Sequence, residues 1–164
     1  MDGTRAWRRD GRHGLLAALC LLIACSACAV RETRTAPQLR QVQRRQIVAL
    51  ATSLAGIPYV FGGGDIDGFD CSGLVFYVYD CFGIRLPRSA RRQAGLARAV
   101  PWKRAAAGDI LAFRLKHGWH TAIYIGDQYF VHAPSAGEWV RVETMSDYWR
   151  QRLQAVISVL PDGR

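Results

Sequence analysis

Three side chains have the types and the chain order needed for nucleophilic attack on an amide: the thiol of Cys71 and the imidazoles of His120 and His132. A thiol needs a neighbouring base to take its proton and later to protonate the leaving amine. A second imidazole can hold the first in the required tautomer through a ring-nitrogen hydrogen bond. We therefore predict Cys71 as the nucleophile, His120 as the proton carrier and His132 as its orienting partner.

Cys71 lies between a glycine-rich loop, residues 59–64, and the apolar segment 74–79, which predicts a buried helix beginning near the thiol. The positive end of the helix dipole and its unpaired amides favour a thiolate there. We expect the backbone N–H of Cys71 to hold the oxyanion of a tetrahedral intermediate together with Tyr59. Ser72 is a further candidate for contact with oxyanion or substrate.

The strands that carry His120 and His132 are predicted to form a hairpin. With a three-residue loop at 126–128, Ile125 pairs with Tyr129. His132 then lies diagonally opposite His120 on one face, with backbones about 7–8 Å apart, so the rings can touch. A two-residue turn would place the rings on opposite faces, and we predict the three-residue loop.

Helical periodicity precedes the strands. Apolar residues recur at Ile47, Leu50 and Leu54 in a helix predicted from Arg40. A second short helix, capped by Ser89, is predicted over residues 90–98, and a single helical turn over 146–150. Five strands are predicted, at residues 109–114, 119–125, 129–133, 140–143 and 155–160. The fold class expected is α+β, with N-terminal helices packed on a five- to six-stranded antiparallel sheet.

The first 24 residues have the features of an export signal, with an arginine-rich head followed by a short apolar run at 14–24. The run ends in Leu22-Ile23-Ala24-Cys25, which looks like a bacterial lipobox, so we predict that Cys25 carries lipid and anchors the chain to a membrane. Residues 25–39 are predicted to be a flexible tether, and 40–164 a single domain. Ser26 after the lipidated residue favours the periplasmic face of an outer membrane.

Charge and cysteine content agree with export. The net charge is +9, and removal of residues 1–24 takes away four Arg and two Asp and leaves +7. This positive charge favours contact with an anionic envelope polymer or headgroup. Nucleic-acid binding is not indicated, because the sequence has no basic helix interleaved with aromatic residues. The remaining thiols, Cys28, Cys71 and Cys81, are odd in number and predict no disulfide framework. Cys81 lies about 280° around the helix from Cys71 and is expected to be a small buried hydrophobe.

The same residue types also occur in metal sites and at helix caps. Cys71, His120 and His132 could bind zinc, but they contain no closely spaced ligand pair, so no metal or other cofactor is expected. Arg88 and Ser89 could bind a carboxylate of the substrate or could cap a helix, and the sequence leaves both interpretations open.

Six motifs then occur in register along the chain: Tyr59 with Gly62-Gly63; Asp70-Cys71-Ser72-Gly73-Leu74-Val75; Leu86-Pro87-Arg88 with Gln93; Gly108-Asp109; His120-Thr121-Ala122-Ile123-Tyr124-Ile125-Gly126; and Phe130-Val131-His132-Ala133. Together they resemble the NlpC family of cell-wall peptidases, and in particular its short lipoprotein members, over residues 41–160. The resemblance implies a reduced papain-like fold, a Cys-His-His triad and a Tyr59 that lines the active site. Thr121 and Ala122 stand where the family more often has Val-Gly.

The function that this resemblance implies is hydrolysis of a peptidoglycan stem-peptide amide through a Cys71 acyl-enzyme by a monomeric protein. The bond would be either γ-D-glutamyl–diaminopimelate or the D-alanyl–diaminopimelate crosslink. The sequence leaves both open, because the shape of the loops around the groove sets specificity. The alternatives are a non-hydrolytic peptidoglycan-binding lipoprotein and an acyltransferase on the same fold.

Overall fold

The structure is a computed structural model and describes residues 35–96 and 98–160. The predicted signal segment, the lipidation residue Cys25 and the first part of the tether lie outside the described residues. The helices are α1 (Ala36–Ser53), α2 (Cys71–Asp80), α3 (Ala90–Ala94) and α4 (Asp147–Arg150), with a 3-10 turn at Trp102–Arg104. The strands are β1 (Gly64–Asp65), β2 (Gly68–Phe69), β3 (Ala99–Val100), β4 (Ile110–Leu115), β5 (Gly118–Gly126), β6 (Tyr129–His132), β7 (Arg141–Thr144) and β8 (Leu153–Ile157).

Helix α1 begins four residues earlier than its apolar periodicity predicts. Thr35 is the N-cap, and its backbone N–H donates to the Gln38 side chain at 2.7 Å, while Pro37 occupies the first turn. These terminal features favour a helix start without any apolar residue. Residues 36–39 are therefore helical, and the predicted start of this helix at Arg40 is wrong by one turn.

The main sheet has six antiparallel strands in the order β3-β8-β4-β5-β6-β7. Five of them are the predicted strands, with ends shifted by at most three residues. The sixth is the two-residue strand β3, which pairs with β8 through Ala99 and Ile157 and is too short for a periodicity signal. The predicted α+β class and the antiparallel sheet are confirmed.

The turn between β5 and β6 differs from the prediction. Asp127 and Gln128 both have positive φ, +48° and +68°, and form a two-residue turn flanked by the pair Gly126 and Tyr129. The register then shifts by one residue, so Ile125 lies in a β-bulge. The predicted pairing of Ile125 with Tyr129 is wrong, but the bulge restores the expected register beyond it, so the predicted sharing of one face is confirmed.

The sheet has an apolar cluster on each of two sides. One contains Ile47 of α1, Leu74 and Val78 of α2 and Ile123 of β5, and the other contains Phe113, Phe130 and Trp149. Burying these side chains is the main source of stability for a domain of this size.

Helix α1 is also held to the sheet by a buried ion pair. Arg44 donates to Asp109 Oδ1 at 2.8 Å, to the Ala107 carbonyl at 2.9 Å and to Ser158 Oγ at 2.9 Å. The Asp109 side chain is 1% exposed.

The end of α2 and the composition of the helices bear on two further predictions. Cys81, expected to be a buried hydrophobe, is exposed, because α2 ends at Asp80 and Cys81 forms its C-cap at the surface. Among residues 35–96 and 98–160, no helix combines the length and the apolar composition needed to cross a membrane.

Candidate active site

Cys71 is the first residue of α2, as the sequence predicts. Asp70 is the N-cap: its Oδ1 accepts a hydrogen bond from the Gly73 amide at 2.6 Å, and its Oδ2 accepts one from the Gly62 amide at 3.1 Å. A single carboxylate thus joins the glycine loop to the helix that carries the thiol. Gly73 is required by close approach, because a Cβ there would lie 2.0 Å from the Gly63 carbonyl oxygen.

The expected thiolate preference of Cys71 is not what the structure favours. Burial raises the pKa of Cys71 above its ordinary value, and Asp70 raises it further. Backbone hydrogen bonds from Thr121, Ser72 and Cys71 itself act in the opposite direction but are outweighed. The helix terminus therefore contributes in the predicted sense, but burial decides, and the resting group is a thiol.

Arg88 lies beside the nucleophile and is engaged by protein groups. Its guanidinium donates to both carboxylate oxygens of Asp70, at 2.8 and 3.0 Å, and to the Gly63 carbonyl at 2.7 Å. It also donates to Ser72 Oγ at 3.1 Å. Of the two interpretations left open for Arg88, these contacts favour a structural role.

The other predicted substrate residues differ in their exposure. Ser72 is buried, and its hydroxyl donates to Asp70 Oδ1 at 3.0 Å. Ser89 is exposed at the cleft and is the N-cap of α3, but its side chain makes no capping hydrogen bond. Tyr59 is half-buried, and its backbone N–H donates to the Glu138 carbonyl at 2.8 Å. Burial and the nearby Cys71 raise the Tyr59 pKa, so its O–H remains a donor at neutral pH.

The two predicted imidazoles meet directly. Nε2 of His120 lies 2.9 Å from Nδ1 of His132, and both side chains are at least 95% buried. Phe113, Phe130 and Trp149 enclose them, with the Trp149 ring stacked 5.8 Å from His120. Burial lowers the pKa of both histidines, and for His120 the neighbouring His132 lowers it further. Both rings are therefore neutral at neutral pH.

Beyond His132 the hydrogen-bond chain continues to residues that the sequence reasoning missed. Nε2 of His132 lies 2.9 Å from Glu143 Oε2, and Trp149 Nε1 donates to Glu143 Oε1 at 2.8 Å. Arg141 donates to Glu143 Oε2 at 3.2 Å and to Glu138 Oε1 at 2.6 Å. Pairing of the two predicted strands would have identified Glu143. In the β6–β7 register, His132 lies opposite Arg141 and Phe130 lies opposite Glu143. That register puts Glu143 diagonally next to His132 on one face.

A buried glutamine links the thiol helix to the histidine strand. Gln93 Nε2 donates to the Ser72 carbonyl at 3.0 Å and to the Pro87 carbonyl at 2.9 Å, and its Oε1 accepts from Thr121 Oγ1 at 2.9 Å. Ser72 and Thr121 are the chain neighbours of Cys71 and His120. Gln93 therefore ties the backbone next to Cys71 to the side chain next to His120, and the hydroxyl of Thr121 satisfies its amide oxygen.

Cys71 and His120 line the same cleft, which has a volume of about 800 Å³ and is also lined by Tyr59, Arg88, Ser89 and Trp119. A second cavity of about 440 Å³ adjoins it on the other side of His120 and is lined by His132, Glu143 and Trp149. The nitrogens by which His120 and His132 meet point at each other and not at a shared third position. In the described part of the chain, no group of three or more His, Cys, Asp or Glu side chains is arranged to bind a metal.

Comparison with known proteins gives consistent relatives. The chain is 30% identical over 123 residues to the gamma-D-glutamyl-L-lysine dipeptidyl-peptidase of Bacillus subtilis, covering 72% of this chain and 42% of that protein. It is 38% identical over 104 residues to the murein DD-endopeptidase MepH of Escherichia coli, covering 58% of this chain and 38% of MepH. The chain thus spans about two-fifths of the length of these two relatives.

Solved structures share the fold. The crystal structure of the NlpC/p60 domain of the peptidoglycan hydrolase SagA superposes with a TM-score of 0.63 at 34% identity, covering 71% of this chain and 98% of that domain. The sequence profile of the NlpC/P60 family matches residues 56–158, which include Tyr59, Cys71, His120 and His132. On the fold, the site and this match together, the chain belongs to the NlpC/P60 family.

Proposed function

We propose that this protein is a cysteine endopeptidase that hydrolyses an amide bond in the stem peptides of peptidoglycan. The observation that carries the proposal is that His120 lines the same cleft as Cys71 while its Nε2 is engaged by His132 at 2.9 Å. This leaves Nδ1 of His120 as the ring nitrogen that can exchange a proton with the thiol. The names of relatives that act on gamma-D-glutamyl bonds or on murein support the substrate class.

The reaction begins from a neutral pair. The thiol of Cys71 transfers its proton to His120, and the sulfur attacks the carbonyl carbon of the bound peptide. The oxyanion is held by the backbone N–H of Cys71 and by the Tyr59 O–H. His120 gives its proton to the departing amine, which breaks the C–N bond and leaves a thioester on Cys71. Water, deprotonated by His120, then attacks the thioester and restores the thiol.

Because His120 protonates the leaving amine, that amine must lie on the His120 side of the thiol. Both candidate bonds, γ-D-glutamyl–diaminopimelate and D-alanyl–diaminopimelate, have a diaminopimelate amine as leaving group. The choice between them depends on which acyl residue fits beside Tyr59 and Ser89.

Purified sacculi incubated with the wild type and with Cys71→Ala test the proposal. We expect the wild type to release muropeptides and the alanine variant to release none above background, and the mass of the product identifies the bond. Cys81→Ala, which removes the exposed thiol, is the matched control and should cleave like the wild type. Identical product profiles for wild type and Cys71→Ala would refute a peptidase, and products joined to an added amine would indicate acyl transfer.

We also propose that Cys25 is lipidated and places the domain at the cell envelope, on the periplasmic face of the outer membrane where the organism has two membranes. The support is the pattern Leu22-Ile23-Ala24-Cys25 followed by Ser26. A peptidase with a net charge of +7 after removal of residues 1–24 would then act next to its anionic substrate.

A further inference from the structure

We propose that Glu143 is the fourth member of the proton relay, a positioning residue that determines which ring nitrogen of His120 carries the proton and so leaves Nδ1 free to accept the proton of the thiol. The inference rests on the proposed function, since it takes Cys71, His120 and His132 as the reacting set. Its role is exerted through His132, because Glu143 touches neither the thiol nor His120 in any hydrogen bond.

Glu143 is placed to act as a fixed anion. Its Oε2 lies 2.9 Å from His132 Nε2, and its Oε1 accepts from Trp149 Nε1 at 2.8 Å. Arg141 donates to the same Oε2 at 3.2 Å. Burial works to raise the pKa of Glu143, but the hydrogen bond from Trp149, the neighbouring His132 and the bond from Arg141 outweigh it. The pKa of Glu143 is lowered, so the group is a carboxylate at neutral pH.

The charge on Glu143 determines which atom is the donor in each hydrogen bond from Glu143 through His132 to His120. A carboxylate can only accept, so the proton shared with Glu143 belongs to Nε2 of His132. His132 is neutral, and its Nδ1 therefore carries a lone pair. That lone pair accepts from Nε2–H of His120, which is neutral as well. Nδ1 of His120 is then the unprotonated nitrogen, and it is the atom that can receive the proton of Cys71.

The carboxylate also opposes the effect of burial on the rings. Charging His120 in the middle of Phe113, Phe130 and Trp149 is unfavourable, and burial is the largest influence on its pKa. Glu143 acts in the other direction and raises the pKa of both His120 and His132. It therefore stabilises the imidazolium that forms when the thiol transfers its proton.

The remaining charged groups around the rings act differently from Glu143. Cys71, a thiol at neutral pH, lines the same cleft as His120, and Arg141 of β7 lowers the pKa of His132. Glu138, in the loop before β7, raises the pKa of His132, but it is exposed and pairs with Arg141 at 2.6 Å. Glu138 thus shares with Glu143 its charge and its arginine partner, but it makes no bond to an imidazole.

Replacing Glu143 by glutamine keeps the size of the side chain but removes its charge and one of its two acceptor oxygens. The carboxylate receives N–H donors on both oxygens, from Trp149 on Oε1 and from His132 and Arg141 on Oε2, whereas a glutamine has only one acceptor atom and no charge. With the amide oxygen toward Trp149, the amide NH₂ faces His132, which must then accept at Nε2 and donate from Nδ1, so His120 carries its proton on Nδ1 and cannot take the proton of the thiol. With the amide oxygen toward Arg141 and His132, the NH₂ opposes the indole N–H, and the imidazolium that forms on proton transfer has lost its counter-ion. Both orientations slow proton transfer from the thiol to His120.

The test measures alkylation of Cys71 by iodoacetamide in the full chain, from about pH 2.5 to 9 so that the acid limb set by the histidines is included, by mass spectrometry of the Cys71 peptide. It needs no peptidoglycan, so it separates failure of this inference from failure of the proposed function. We expect Glu143→Gln to slow alkylation at pH 7 at least tenfold and to shift the acid limb to lower pH, because its charge no longer raises the histidine pKa. Glu143→Asp should recover part of the rate.

Glu138→Gln is the matched control and should alkylate within about twofold of the wild type, with its acid limb in place. A merely structural role for Glu143 would lower the rate without displacing that limb. Ring-nitrogen NMR of a Cys71→Ser protein provides a reading that does not depend on the Glu143→Gln variant folding. Protons on Nε2 of both His120 and His132 support the proposal. A proton on Nδ1 of His132, or an unshifted acid limb in a folded Glu143→Gln protein, overturns it.

Discussion

Replacing Arg88 with methionine distinguishes the two roles that the sequence leaves open for this residue. Methionine keeps the unbranched stem but removes the guanidinium that joins Asp70 to the Gly63 carbonyl. If Arg88 is structural, the glycine loop and the start of α2 lose their common anchor, and the protein is destabilised. If Arg88 instead binds a substrate carboxylate, the stability is unchanged and KM rises.

The magnitude follows from the contacts. Arg88 makes four hydrogen bonds, at 2.7 to 3.1 Å, and two of them go to the carboxylate of Asp70. A hydrogen bond to a charged group contributes about 1.5–3 kcal/mol, but the Arg88 side chain is 38% exposed, so solvent screens part of it. We expect a loss of about 2–3 kcal/mol in the free energy of unfolding at pH 7. For a domain of this size, that lowers Tm by about 10 °C.

The stability difference between wild type and Arg88→Met depends on pH through the ionisation of Asp70. Burial works to raise the pKa of Asp70, but the hydrogen bonds from Arg88 and Gly73 outweigh it and the pKa is lowered. A carboxyl group whose pKa falls on folding adds stability above its unfolded pKa and loses that contribution as pH falls through the folded value. Urea unfolding should therefore show the full difference between wild type and Arg88→Met at pH 7. The difference should shrink as Asp70 becomes protonated in strong acid.

Arg92→Met is the matched control, since it removes an exposed arginine of α3 that lies four residues after Arg88. It should change the unfolding free energy by less than about 0.5 kcal/mol. An Arg88→Met protein as stable as this control, with a raised KM on muropeptide substrates, would refute the structural role and favour substrate binding.

Three further outcomes are expected. Asp109→Asn, which leaves the partly buried Arg44 without its counter-ion, should lower the free energy of unfolding in urea by about 3 kcal/mol. Asp80→Asn at the exposed end of α2 should change it almost not at all, and equal losses would contradict the role of the ion pair. Because burial lowers the pKa of His120 and raises that of Cys71, muropeptide release should be constant from about pH 6 to 8, and an acid limb at or above the ordinary histidine value of about 6.5 would be inconsistent with this. Cells fed labelled palmitate should label the wild type but not Cys25→Ala, and labelling of that variant would rule out the proposed anchor.

The sequence predicted the parts of the site that depend on local chemistry. Cys71 at a loop–helix junction follows from a glycine-rich segment next to an apolar one, and both patterns are local. The common face of His120 and His132 also follows from strand periodicity, yet the reasoning about the turn was wrong. A one-residue bulge at Ile125 compensates for the shorter turn, and the residue pattern does not predict this bulge.

The site's electrostatics depend on groups that are distant along the chain. The protonation of Cys71 was mispredicted because a helix terminus can be recognised in sequence, whereas burial cannot. Gln93 and Thr121 are 28 residues apart, and their bond exists only because α3 packs on the sheet. Exposure of Cys81 was missed for the same reason, since it depends on where the helix ends relative to its neighbours.

The amino-acid sequence by itself determined the α+β class, the thiol and the two imidazoles, because residue type and periodicity are properties of short segments. Only the tertiary structure carries the proposed direction of proton transfer, because that direction depends on which strands are neighbours in the sheet. The pairing of β6 with β7 brings Glu143 to His132, and the packing of α4 brings the Trp149 indole to Glu143. These contacts set the charge at the end of the relay, and the charge sets the tautomer of every ring before it.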